Sequence, residues 1–132
     1  MNKVSFLSEL DIFTTRLDCS WTEIDKLPDL INVQYLDCSY SKISVLPNMP
    51  NLEYLNCEGT LIRELPNLPK LKTLNCSYTR IIKFPSGLEN LICKNTRLKI
   101  FPSMPKLVYL DCSESNIKEF PKLPNLKYFK SL

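Results

Sequence analysis

Apolar residues recur along this 132-residue chain in a phrase that mostly returns after 19 residues. One copy reads Leu52-x-x-Leu55-x-Cys57-x-x-Thr60-x-Ile62. Intervals of 19, 19, 19, 17 and 19 residues separate the six cysteines, which are Cys19, Cys38, Cys57, Cys76, Cys93 and Cys112. A period of this length predicts a repeat architecture in which similar units stack one on the next.

Each repeat is predicted to contain one short β-strand. Leu55 and Cys57 are two residues apart and therefore point to the same face of a strand, whereas Tyr54 and Asn56 point to the other. Units stacked about 4.8 Å apart form a parallel sheet, in which each inward position becomes a continuous column. The predicted core columns are Leu17, Leu36, Leu55, Leu74, Leu91, Leu110 and Phe129; Ile24, Ile43, Ile62, Ile81, Leu98 and Ile117; and Leu27, Leu46, Leu65, Phe84, Phe101 and Phe120.

Proline shapes the segments that return from one strand to the next. The chain has ten prolines and only two glycines, and proline is excluded from helix interiors and central strands. Return segments such as residues 65–69 (Leu-Pro-Asn-Leu-Pro) are therefore predicted to be extended and polyproline-like, with little helix. The 17-residue interval contains a shorter segment, residues 84–88 (Phe-Pro-Ser-Gly-Leu), in which Gly87 is expected to ease the tighter turn.

The repeated phrase resembles the motif of the leucine-rich-repeat family, L-x-x-L-x-L-x-x-N/C-x-L. The match runs from Thr14 to Leu132, with cysteine in place of leucine at the sixth position and threonine or serine in place of asparagine at the ninth. The short unit and the Leu-Pro-x-Leu-Pro connection are most similar to the bacterial effector subtype. The resemblance implies a leucine-rich-repeat solenoid with a parallel β-sheet on its concave face, an extended convex side, and the protein binding found in most relatives.

These patterns divide the chain into two parts. Residues 1–13 fit the phrase poorly and are expected to form an N-terminal cap over the first core edge. Residues 14–132 are expected to hold about six and a half repeats of 19 residues, one of them of 17. Because the sequence stops within a seventh strand, an unpaired C-terminal edge around Leu126 and Phe129 is expected.

The cysteines and hydroxyl residues are expected to be structural. A column of parallel side chains presents thiols in a line, whereas zinc needs a tetrahedron, and adjacent Cβ atoms about 5 Å apart are too distant for a disulfide. We therefore expect free buried thiols, no metal, no cofactor and a reducing compartment. The residue three positions after each cysteine is expected to bond the turn through its hydroxyl group. These residues are Thr22, Ser41, Thr60, Thr79, Thr96 and Ser115.

The sequence predicts that the protein is not an enzyme. It contains no histidine, so Ser-His and Cys-His nucleophile pairs cannot form, and no Gly-rich phosphate loop or metal motif is present. Asp18 and Asp37 fall side by side in adjacent repeats, and paired carboxylates perform acid–base work in clefts. Because these two lie on an open sheet, we interpret them as solvated surface acids.

The outward strand positions carry the candidate binding residues. All six tyrosines and the single tryptophan fall at outward positions of a strand or of the following turn, whereas the phenylalanines fall in core columns or the cap. Tyrosine and tryptophan are enriched at binding hot spots, although covering of the sheet by residues of high β-propensity is a competing interpretation. The predicted partner-binding residues are Arg16, Asp18, Trp21, Tyr35, Asp37, Tyr40, Tyr54, Asn56, Asn75, Tyr78, Tyr109, Asp111 and Tyr128.

The predicted function is therefore a protein-interaction module that uses this concave sheet. Two alternatives stay open: a self-assembling unit that dimerises through the C-terminal edge, and the recognition part of a ligase, because effector-type relatives often carry such an enzyme domain downstream. Mixed charges on the outward face disfavour nucleic acid. No apolar run approaches the roughly 20 residues that span a bilayer, and the first nine residues lack the apolar stretch of a secretory signal. We expect a cytoplasmic protein, within a host cell if it is exported without a signal peptide.

Overall fold

A computed structural model of the protein describes residues 13–131, which form seven short β-strands joined by extended segments. These strands make one parallel sheet in chain order. No α-helix occurs within residues 13–131, and hence no helix long and apolar enough to cross a membrane. The predicted solenoid, with one strand per repeat and an extended return, is confirmed. The strands are β1 (Arg16–Asp18), β2 (Tyr35–Asp37), β3 (Tyr54–Asn56), β4 (Thr73–Asn75), β5 (Asn90–Ile92), β6 (Tyr109–Asp111) and β7 (Tyr128–Lys130).

Each strand pairs with the next at equivalent positions of the repeat. Leu17 of β1 lies opposite Leu36 of β2, and the same register continues along the sheet. The 17-residue repeat keeps this register, because Leu74 of β4 lies opposite Leu91 of β5. The shortening therefore affects only the return segment and leaves the face of the sheet continuous.

The Leu-x-Cys alternation places both side chains in one core. In β2 to β5 the central residue is buried, and its two strand neighbours are half-buried. The leucine column is fully buried from Leu36 to Leu110, and all six cysteines are buried free thiols. Burying a large aliphatic side chain contributes about 1.5–3 kcal/mol, so these columns stabilise the stacking of the repeats.

Burial also sets the chemistry of the cysteines. It raises the pKa of the Cys19 thiol to about 12, helped by the nearby Asp18 and Asp37 carboxylates. Burial and the neighbouring Cys76 thiol raise the pKa of Cys57 well above its ordinary value. The thiols therefore stay protonated at neutral pH, where they pack as small apolar side chains.

The turns after the strands use the predicted hydroxyl column. In the first four repeats, the hydroxyl donates to the carbonyl oxygen of the cysteine three residues earlier, over 2.6 to 2.7 Å, which confirms the predicted role. Thr96 accepts from the Leu98 N–H, as the hydroxyls of earlier repeats also do from the equivalent N–H. The Ser115 hydroxyl differs, because it donates to the Cys93 carbonyl of the preceding repeat at 3.2 Å. The four donors in the first repeats are Thr22, Ser41, Thr60 and Thr79.

The C-terminal end of the core departs from the prediction. Phe101 is buried, but Phe120 and Phe129 are 40% and 43% exposed. Within the described part of the chain, β7 pairs only with β6. The prediction that the phenylalanines outside the cap lie in core columns is therefore wrong for these two, because a column position is covered only where a further repeat stacks on it. The predicted cap, residues 1–13, lies outside the described residues except for Phe13.

The short return segment contains no strained glycine. The backbone of Gly87 is not left-handed, and a Cβ atom added there would meet nothing within 4 Å. The expectation that Gly87 eases a tight turn is therefore wrong. The shortening instead leaves a depression of about 320 Å³ on the convex side, between Leu68 and Phe84.

Candidate functional site: the concave face

The concave face consists of the outward side chains of β1 to β7, of the residue just before each strand and of the turn that follows it. The structure places all thirteen predicted partner-binding residues on this face or on its margin. Because the strands are parallel and in register, equivalent residues of successive repeats form columns across the sheet. The first outward column is Arg16, Tyr35, Tyr54, Thr73, Asn90, Tyr109 and Tyr128.

An aromatic stack covers the N-terminal part of this column. The rings of Tyr35 and Tyr54 lie 4.3 Å apart with an interplanar angle of 5°. The guanidinium carbon of Arg16 lies 4.1 Å from the centre of the Tyr35 ring, in cation–π geometry. Adjacent strands are about 4.8 Å apart, a separation that suits stacked rings. The three side chains form an ordered platform, which we call the N-terminal platform.

A second aromatic pair lies at the other end of the same column. Tyr109 and Tyr128 have ring centres 6.3 Å apart and an interplanar angle of 39°. Thr73 and Asn90 lie between Tyr54 and Tyr109, and the Asn90 amide donates to the Thr73 hydroxyl at 3.1 Å. Three strand spacings, about 14 Å, separate the two tyrosine pairs. The concave face thus has two aromatic platforms with a lower polar floor between them.

The second outward column closes the turns. In five repeats an Asp or Asn side chain accepts the backbone N–H of the residue two positions later, over 3.0 to 3.1 Å. In the three aspartate repeats a serine hydroxyl donates to the same oxygen at 2.5 to 2.6 Å. One side-chain oxygen of each residue therefore accepts hydrogen bonds from the turn that follows it. The Asp-x-Ser spacing signals this role in the sequence, and the signal was missed. The residues are Asp18, Asp37, Asn56, Asn75 and Asp111.

These hydrogen bonds alter the aspartate carboxyls. Donation from Ser20 lowers the pKa of Asp18. Burial raises the pKa of Asp111, but hydrogen bonds from Ser113 and the charge of Lys94 outweigh it, so the pKa of Asp111 lies below its ordinary value. Asp111 is only 4% exposed, and the Lys94 ammonium lies 3.7 Å from its second oxygen. The expectation that Asp111 is an outward surface group therefore needs correction, because its turn and Lys94 enclose it.

The residue two positions after each cysteine takes a left-handed backbone conformation, with φ between 53° and 67°. We call this column the turn ridge. The conformation suits glycine or asparagine, and for other residues it costs on the order of 1 kcal/mol. Gly59 and Asn95 occupy two of the six positions. These two residues were a sequence signal for the shared left-handed backbone, and that signal was missed. The turn ridge is Trp21, Tyr40, Gly59, Tyr78, Asn95 and Glu114.

The aromatic members of the turn ridge are ordered by their neighbours. The rings of Trp21 and Tyr40 stack 4.2 Å apart at 15°, and the Tyr40 hydroxyl donates to Glu58 at 3.0 Å. The Tyr78 hydroxyl donates to Glu114. Burial and the hydrogen bond to Glu58 raise the pKa of Tyr40, while the hydrogen bond to Glu114 raises that of Tyr78. All three rings remain exposed, and Trp21 is 75% exposed.

Acidic side chains outnumber basic ones on the concave face and its turns. Within residues 13–131, no three histidine, cysteine, aspartate or glutamate side chains come together as a metal site would require. The chemistry of the face is that of ordered aromatic rings set among mainly acidic groups. Its acidic residues are Asp18, Asp37, Glu53, Glu58, Glu89, Asp111 and Glu114, and its basic residues are Arg16, Lys72, Lys94, Lys127 and Lys130.

Comparison with known proteins agrees with this architecture. Residues 31–70 match the family model described as Leucine Rich repeats (2 copies). No curated protein matches the chain.

Solved structures give the wider comparison. A Shigella effector leucine-rich-repeat domain is 28% identical, with a TM-score of 0.67 over 80% of this chain and 53% of that one. YopM from Yersinia enterocolitica is 26% identical, with a TM-score of 0.57 over 92% of this chain and 38% of that one. TLR13, solved in a complex with a single-stranded RNA, is 21% identical, with a TM-score of 0.68 over 89% of this chain and 21% of that one. The chain thus spans between a fifth and just over half of these proteins.

Proposed function

Starting from the leucine-rich-repeat solenoid that this chain forms, we propose that it is a non-catalytic module that binds a protein partner across its concave face. Leucine-rich-repeat proteins generally act as binding modules. The partner would contact the two aromatic platforms and the turn ridge, while the polar floor between the platforms admits a protruding part of the partner. The tyrosines and Trp21 would supply most of the binding energy, because rigid aromatic side chains lose little conformational entropy on binding.

The observation that carries this proposal is the residue choice at the turn ridge. Gly59 shows that glycine is accommodated in this column, yet three other repeats have an aromatic residue there. A left-handed conformation at such a residue is unfavourable, and strained residues cluster at functional sites. Because Trp21 is three-quarters exposed, burial within the chain does not offset the strain. A partner that covers these rings would provide the compensation.

The charge of the concave face supports a protein partner over a nucleic acid. Nucleic-acid surfaces need excess lysine and arginine to neutralise phosphates. The concave face has seven acidic side chains and five basic ones, and one of the basic residues, Lys94, is already paired with Asp111. The TLR13 complex with RNA shares only the fold with this chain, so it does not change this expectation.

The experiment is site-directed photo-crosslinking in the source cells. A photoreactive amino acid at Thr73, on the polar floor, is expected to crosslink one protein, whereas the same amino acid at the exposed Asn67, beside the convex depression, is not. Tyr54→Ala and Tyr109→Ala are then expected to weaken binding of the purified partner by about tenfold or more without loss of folding. Equal crosslinking from both positions, or full affinity in both tyrosine variants, would count against the concave face.

A second candidate function is self-assembly through the C-terminal end of the sheet. It is favoured by the exposure of Phe120 and Phe129, whose rings pack edge to face 5.3 Å apart in the last of the described repeats. Light scattering over a dilution series is expected to show a dimer, and appending a polar capping repeat after Leu132 is expected to yield a monomer. A monomer of the unmodified chain at all concentrations excludes this candidate.

We further propose that the protein works in a reducing compartment such as the cytoplasm. The six buried free thiols support this location, because oxidising compartments favour disulfides. Fractionation of the source cells with an antibody to the chain tests it. Recovery only in an oxidising compartment would contradict it.

A further inference from the structure

A second surface lies beside the concave face, on the flank that follows the turns. It consists of the exposed side chains of residues 42–45, 61–64, 80–83 and 97–100, and we call it the lateral face. One aliphatic residue of each segment points inward: Ile43, Ile62 and Ile81 are buried and Leu98 is half-buried in the core. These anchors leave the remaining side chains of the four segments in solvent.

The lateral face is strongly basic. It has six basic side chains and a single acidic one, Glu64, whereas acids predominate on the concave face. Within residues 13–131, none of the six lies within ion-pair distance of a carboxylate. Arg80 and Arg97 occupy the same position of adjacent repeats, so their backbones are about 4.8 Å apart. The six basic residues are Lys42, Arg63, Arg80, Lys83, Arg97 and Lys99.

Exposed aliphatic side chains alternate with these cations. Val45, Leu61, Ile82 and Ile100 are 51% to 73% exposed. Two adjoining depressions, of about 500 and 400 Å³, share Leu61 and Arg63 in their walls. The first reaches Val45, and the second reaches Arg80 and Tyr78. A groove thus crosses the third repeat, with apolar walls, Arg63 and Arg80 on its rim, and the single carboxylate of Glu64 in the depression that reaches Val45.

We propose that the lateral face is a docking site for an acidic amphipathic segment of a protein partner, distinct from the concave-face site, which it meets at Tyr78. Glutamates or aspartates of the segment would pair with Arg63, Arg80 and their neighbours. An apolar side chain would enter the groove beside Leu61. Charge complementarity selects this occupant, because an acidic segment is attracted to this face and repelled by the acidic concave face.

Two other anionic partners fit the groove less well. Nucleic-acid interfaces are polar and wet, which leaves the four exposed aliphatic residues without a role. A bilayer surface would contact the most exposed of these side chains, such as Val45, but would leave the recess beside Leu61 unfilled. A peptide side chain enters such a recess and is desolvated there.

The test uses a fluorescent synthetic peptide of alternating glutamate and leucine, titrated into the full chain at low salt. Saturable binding that weakens as salt rises is expected. Arg63→Ser combined with Arg80→Ser is expected to weaken it by about tenfold, and Leu61→Ser by a similar factor. The matched control combines Lys106→Ser and Lys122→Ser, which removes the same charge outside the lateral face and is expected to change affinity little.

Other outcomes would overturn the inference. These are absence of saturable binding, equal weakening by the control substitutions at Lys106 and Lys122, and undiminished binding when serine replaces leucine in the peptide. Tighter binding of oligo(dT), or of phosphatidylserine vesicles, that is lost with Arg63→Ser and Arg80→Ser would assign the face to nucleic acid or to membrane instead. Tyr54→Ala is not expected to change peptide binding. A negative result for the lateral face can therefore be distinguished from a negative result for partner binding at the concave face.

Discussion

A Cβ atom added to Gly59 would lie 2.5 Å from Cε1 of Tyr40. The Tyr40 ring therefore rests on the bare backbone of the next repeat, where it also reaches Glu58. Only glycine satisfies both the left-handed backbone of position 59, at φ 67°, and the space that the ring fills. This contact couples the turn ridge to the sequence of the third repeat.

Gly59→Ala is expected to destabilise the protein and to displace the Tyr40 ring. The left-handed backbone alone costs an alanine on the order of 1 kcal/mol, and the clash with Tyr40 adds to it. Gly87→Ala is the matched control, since its Cβ atom meets nothing within 4 Å and its backbone is not left-handed. The control is expected to be neutral or more stable by about 0.4–1 kcal/mol. Urea denaturation of both variants makes the comparison, and equal stabilities would contradict the contact.

Tyr78→Gly is expected to separate folding from binding. Glycine relieves the left-handed backbone of position 78, while the exposed hydrogen bond to Glu114 is lost. The melting temperature is therefore expected to stay the same or rise, although partner affinity falls by about tenfold. Asn95→Gly, at the next position of the turn ridge, is the control that changes the backbone without removing a ring. A fall in melting temperature specific to Tyr78→Gly would assign the ring a structural role.

Stability is expected to fall in acid through Asp18 and Asp111. Both carboxyls have a folded-state pKa below the ordinary aspartate pKa. Their contribution to the free energy of unfolding is therefore complete above the ordinary pKa and is lost as the pH falls through the folded-state pKa. The loss is expected below about pH 4. Asp111→Asn keeps an oxygen for the Ser113 N–H, so it is expected to flatten this decline. Thermal melts across the acid range test it, with Glu64→Gln as the exposed control; parallel declines in both variants would contradict the assignment.

The cysteine column is expected to resist alkylation in the folded protein. Cys57 lies in the centre of the column, and burial raises its pKa, so little thiolate is available. Cys19 and Cys112 lie in the first and last cysteine positions and are expected to react before Cys57. Mass-spectrometric mapping after timed iodoacetamide treatment gives the order. Rapid labelling of Cys57 under native conditions would mean that the repeats open locally.

The strand positions were predictable because the same motif occurs in successive repeats of the sequence. Leu-x-Cys recurs in phase, and alternation within a strand assigns Tyr54 outward and Leu55 inward without knowledge of any distant contact. The tyrosines of the concave face followed from the same rule. Gly87 was misjudged because glycine in a short segment suggests a left-handed turn, whereas the backbone there is ordinary.

The sequence by itself determined the period, the parallel in-register sheet and the residues that line each column, because these follow from alternation and repetition along the chain. Only the tertiary structure decided what each column does. Stacking places Lys94 against Asp111, lays Tyr40 on Gly59, and gathers cations from four return paths on the lateral face. It also leaves Phe129 exposed where Leu110 is covered. These outcomes depend on contacts between side chains of neighbouring repeats, 17 to 19 residues apart. A local sequence pattern does not predict such contacts.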